Sequence, residues 1–104
     1  FHQDTPVLLP DMITTLWCAV NRVTRAGVPL AEEEKVSVYD ALKGITCNAA
    51  YQYFEEDRKG SLKEGKLADL VILDQNPLEI DPKDLRSIQV LSTIKEGEPI
   101  YTKA

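Results

Sequence analysis

Two kinds of apolar periodicity divide the chain. Met12, Leu16, Val20 and Val23 recur at spacings of four and three, and Ile13 and Trp17 widen the same stripe. That is the pattern of a helix with one buried face. Asp11 stands where a cap belongs, Gly27 offers a stop, and Pro29 prevents continuation, so the spacing predicts a helix from Asp11 to about Arg25. Val38, Ala41, Leu42, Ile45 and Ala49 form a second stripe. Ser37 before it, with Asp40 three places on, makes a variant capping box, and Val36 and Ala41 are placed for a small hydrophobic staple. Gly44 inside this stripe costs about 1 kcal/mol against alanine. It marks either the close approach of another backbone or a break into two short helices. In the second case Thr46 or Asn48 caps a helix over Ala49 to Phe54.

From Gly60 onward the period becomes that of strands. Two glycine-marked turns flank a polar stretch, and Leu70-Val71-Ile72-Leu73 then runs to the acidic turn at Asp74, which is a tight connection feeding a buried strand. Val90 to Ile94 and Pro99 to Tyr101 flank Glu96-Gly97 as a hairpin. Pro77 and Pro82 bracket a loop, and Pro82 to Leu85 can start one helical turn. Phe1 to Pro10 hold two prolines and no helical period, so they read as an extended segment and loop. Glu32-Glu33-Glu34 reads as a solvated loop and Glu55-Glu56-Asp57 as an exposed acidic turn. The sum is an α+β chain. Three short strands leave open edges, and two apolar helices need something to cover. Neighbouring residues of a larger parent or a partner chain are therefore expected to complete the core, and the isolated chain is expected to self-associate.

Composition narrows the function. At 104 residues the chain is one small domain or a piece of a larger one, and its opening on Phe1 rather than methionine suggests a piece. Hydrophobic content of 43% argues against disorder. Twelve Lys and Arg against 17 Asp and Glu leave a charge of −5; without a basic stripe, nucleic acid is excluded as a partner. No apolar run approaches the roughly 20 residues that span a bilayer, so no membrane partner is expected. Cys18 and Cys47 sit in apolar, helix-like surroundings and read as reduced core thiols of a cytoplasmic protein; neither belongs to a Cys-x-x-Cys pair.

Chemistry-bearing residues are sparse. His2 and Asp4 stand two apart, and in an extended segment both point to one face. Such a pair can ligate a metal or exchange protons, but taken alone it is a weak signal, because a His and an Asp near a terminus are more often solvated surface residues. No second histidine can complete a zinc sphere. No serine has a glycine-flanked nucleophile turn and no glycine loop cradles a phosphate. Asp40 is explained as a capping partner. The chain holds no complete active site.

The order of elements and their motifs resembles the carboxyl-terminal part of an amidohydrolase, over essentially the whole chain. Phe1-His2-Gln3-Asp4-Thr5-Pro6-Val7 is similar to the end of the eighth barrel strand, and Trp17-Cys18-Ala19-Val20-Asn21-Arg22 to the helix after it. Ala41-Leu42-Lys43-Gly44-Ile45-Thr46-Cys47-Asn48-Ala49-Ala50 matches the pattern A-L-x-x-x-T-x-N-A-A, and Gly60 to Asp74 looks like the re-entry into a small β-sandwich. Asn76-Pro77 and the hairpin from Thr93 to Tyr101 complete the likeness, which points to the deformylase-like branch that includes N-substituted formamide deformylases.

The resemblance implies a division at residues 58 and 59. Residues 1–58 would be the strand-eight tip and covering helices of a TIM-type barrel, and 59–104 the returning strands of the composite sandwich. In that segment Gly65 would supply a positive φ, Asp69 would cap the strand, and Leu70 to Leu73 would form its core. Asp4 would be both metal ligand and acceptor of the proton from the attacking water, in a parent enzyme that binds a divalent metal, zinc foremost, and hydrolyses a small-molecule amide. His2 is not one of the family's usual ligands. The remaining metal ligands would lie upstream of Phe1, so the isolated chain is expected neither to bind metal tightly nor to turn over substrate. Two alternatives stand beside this. One is a small non-catalytic α+β interaction or assembly module; a His-x-His motif roughly 250 or more residues upstream would argue against it. The other is a complete small metal-binding protein that uses His2, Asp4 and the acidic turn.

Overall fold

The computed structural model describes residues 1–104. Helix α1 (Met12–Asn21) starts as its sequence requires. Asp11 Oδ1 accepts the backbone N–H groups of Ile13 and Thr14, both at 3.1 Å, and Oδ2 accepts the Thr14 hydroxyl at 2.6 Å. The hydroxyl, helped by the two amides, holds the Asp11 carboxyl below its ordinary pKa. The helix stops four residues short of the expected Arg25. Arg22 turns left-handed at φ +53° and its N–H donates to the Cys18 carbonyl. Residues 22–30 then fold back on themselves: Leu30 N–H donates to the Arg22 carbonyl at 2.8 Å, and Thr24 N–H to that of Val28 at 3.0 Å. Gly27 (φ +79°) turns this small hairpin rather than ending the helix.

The acidic run Glu32–Glu34 forms a short exposed 3-10 turn. Helix α2 (Val38–Ile45) is capped by Ser37, whose Oγ accepts the Asp40 N–H at 3.0 Å and donates to the Asp40 carboxylate at 2.7 Å. The box thus closes side chain to side chain. Helix α3 (Cys47–Gln52) follows at once, two residues earlier than expected. The break falls at Thr46 (φ −125°, ψ −97°), where the hydroxyl donates to the Leu42 carbonyl at 2.7 Å; no side chain caps α3. Gly44 stays inside α2. The group crowding it is the Phe1 ring, 2.7 Å from where a Cβ would stand, and not a backbone.

Strands β1 (Leu70–Leu73), β2 (Val90–Lys95) and β3 (Glu98–Thr102) make one antiparallel sheet in that order. Leu70 faces Ile94 and Ile72 faces Ser92 across the first pair; Thr93 faces Tyr101 across the second. Glu96 (φ +50°) and Gly97 (φ +84°) form the two-residue turn whose twist suits a hairpin. Asp69 does not cap β1 locally. Its Oδ1 reaches across to accept the Glu96 N–H at 2.8 Å, while the Ala68 carbonyl takes the Gly97 N–H at 3.1 Å. The turn's amides are thereby satisfied by the segment entering β1.

Leu16, Val20, Ala41, Leu85 and Ile88 make up the core, with Ala50 buried apart from them. Leu85 and Ile88 come from the 3-10 segment Pro82–Ser87 and its cap, longer than the single turn expected. Trp17 Nε1 donates to the Lys83 carbonyl, Asn21 Nδ2 to that of Pro82, and the Arg86 guanidinium lies 3.9 Å from the Trp17 ring centre. These contacts dock the segment on α1 and seat its two apolar residues. Only six of 104 residues are buried, so most apolar faces have no cover within the chain.

Three expectations about burial are corrected accordingly. Val71 and Ile72, which point to opposite faces of β1, remain 52% and 47% exposed because the chain covers neither face of the sheet at these positions. Cys18 is exposed and Cys47 half-buried, so they are free thiols but not core residues. In the acidic turn, Glu55 and Glu56 are half-buried and only Asp57 is exposed. Glu55 pairs with Lys59 at 2.6 Å, which holds its carboxyl below the ordinary range.

Candidate functional site

Phe1 to Pro10 carry the chain's only His-x-Asp pair, and their path is set by two anchors. The Phe1 ring packs on Gly44 of α2. The Gln3 amide reaches the first turn of α1, donating to the Asp11 carbonyl at 3.1 Å and to the Thr15 hydroxyl. Gln3 is therefore a positioning residue that the hydrophobic pattern does not single out. Thr15 carries no distinguishing signal either, since Thr14 beside it is an equally polar residue of the first turn.

The segment is not extended through Asp4. Asp4 adopts φ +55°, and its carbonyl accepts the Val7 N–H at 2.8 Å, so residues 4–7 form a turn. Strand alternation ends there, and the same-face argument for His2 and Asp4 does not apply. Both side chains are exposed. A left-handed aspartate is tolerated more readily than most residues, and such conformations concentrate where a side chain must be aimed.

No three His, Cys, Asp or Glu side chains come together in a group that could hold a metal ion. His2, Asp4 and the acidic turn therefore do not form one site. By donor chemistry Asp4 fits one position of a divalent-metal site, and the chain does not fit a complete one.

A second feature lies elsewhere. A groove of about 630 Å³ runs between α2–α3 and the sheet, lined by residues such as Ile45, Ala49, Tyr53, Leu62, Leu70 and Ile94. Asp4 does not line it. Its walls are mainly apolar and suit packing more than proton transfer.

Beside the groove, Lys66 ties the connection together. Its Nζ donates to the Ser61 hydroxyl at 2.9 Å and to the Glu56 carbonyl. Gly60 and Gly65 take positive φ, +92° and +87°, as turns at those points require.

Comparison with known proteins gives this arrangement its context. The chain is 39% identical over 88 residues to the N-substituted formamide deformylase of Arthrobacter pascens, covering 85% of this chain and 16% of that protein. It is 30% identical over 105 residues to YtcJ of Bacillus subtilis (strain 168), covering 98% of this chain and 20% of YtcJ. It is 36% identical over 103 residues to the Arabidopsis thaliana protein LONG AFTER FAR-RED 3, covering 95% and 17% respectively. The chain thus spans about a fifth or less of the length of these relatives. No solved structure matches it. A model of the amidohydrolase family, whose members generally use divalent metals, matches residues 1–101. The match opens ahead of the Asp4 turn and ends at Tyr101 in the last strand, and the chain belongs to the amidohydrolase family.

Proposed function

We propose that this chain is the carboxyl-terminal portion of a metal-dependent hydrolase that cleaves non-peptide C–N bonds of small amides or formamides with activated water. The observation that carries the reading is the family match across residues 1–101, which takes in the Asp4 turn, both helix motifs and all of the sheet but the last residue of β3. The identity to a protein named N-substituted formamide deformylase favours formamides as the substrate class. On this reading residues 1–58 complete a TIM-type barrel and residues 59–104 complete a small β-sandwich. The uncovered faces of β1 and of the groove support a chain that folds against further protein.

Asp4 is the one group here assigned chemistry. Its carboxylate, exposed in this chain, would hold one position of a divalent metal, zinc on this reading, and would accept the proton of the water that the metal activates; the other ligands would come from elsewhere in the full-length protein. Catalytic groups at the carboxyl ends of barrel strands fit this placement. Isolated, the chain neither turns over substrate nor holds the metal tightly, and it self-associates through its uncovered apolar surface. Free thiols at Cys18 and Cys47 suit a cytoplasmic location.

The test is hydrolysis of a panel of N-substituted formamides and amides, with added zinc, by this chain and by the full-length protein. Turnover by the full-length protein alone is expected. Turnover by the isolated chain would overturn the account of its incomplete site. The alternative, a non-catalytic assembly module, is favoured only by the apolar groove, and turnover by the full-length protein would exclude it.

A further inference from the structure

We draw no further inference here: the strongest candidate, the apolar groove between α2–α3 and the three-stranded sheet together with the bare edge of β1, carries nothing because nothing in the structure shows what covers it.

Discussion

Gly60 lies so close to Ala50 that a Cβ on the glycine would stand 2.6 Å from the Ala50 Cβ and 3.1 Å from the Cys47 Cα. It also holds φ at +92°. Steric room and backbone conformation both reserve the position for glycine. The contact is where the strand-forming half of the chain returns to α3.

Gly60→Ala is therefore expected to destabilise by about 2–5 kcal/mol, combining overpacking with a strained positive φ. Gly97→Ala is the control. Gly97 has φ +84° but nothing within 4 Å of a built Cβ, so only the conformational part, about 1–2 kcal/mol, applies. Urea unfolding midpoints distinguish the two. Equal losses would show that the Ala50 contact yields.

Lys66 is expected to matter more than its charge suggests. Lys66→Met leaves the Ser61 hydroxyl and the Glu56 carbonyl without their donor, at a cost of about 1–3 kcal/mol. Lys63 is exposed, and its change to methionine should stay within about 0.5 kcal/mol. Thermal melting of the pair compares them directly.

The Asp11 cap predicts an acid-sensitive contribution. The Thr14 hydroxyl lowers the Asp11 pKa in the folded state below its ordinary value of 3.8. The stabilisation is then fully present above that value and is lost as pH falls through the folded one. Asp11→Ala should cost about 1 kcal/mol near neutral pH, and the difference between variant and parent should shrink below pH 3.8. A gap that stays constant down to strong acid would mean the carboxylate does not cap.

Edge chemistry predicts how the isolated chain associates. β3 carries Glu98 and Pro99, which discourage further pairing, whereas β1 is four apolar residues without charge. The isolated chain should elute above its 11.6 kDa mass, and Val71→Lys should shift it toward monomer. Light scattering that finds a monomer in both would contradict the reading of β1 as an open edge.

Periodicity made the elements readable but not their surroundings. The stripe through Leu16 and Val20 and the run at Leu70–Leu73 identify α1 and β1 because local pattern and propensity agree there. The end of α1 was hidden because the Arg22–Leu30 pairing competes with another helical turn, a contact eight residues apart. The exposure of Val71 and Ile72 is not legible in the sequence, because an apolar run shows preference for cover and not whether cover is present in the chain. Asp69 looked like a local cap, and its partner Glu96 lies 27 residues away. For the site, the His-x-Asp spacing drew attention to Asp4. The left-handed turn that separates it from His2, and the Gln3 anchor that fixes the segment, are tertiary features without a local signature.

The most direct test of the proposed role is the turnover of an N-substituted formamide by the full-length protein carrying Asp4→Asn. Asparagine keeps the size and the left-handed preference of aspartate but cannot accept the proton. The expected result is a fall in kcat of about 10²- to 10⁴-fold, with an unchanged melting temperature. Turnover at the parent rate would contradict it and remove Asp4 from the chemistry.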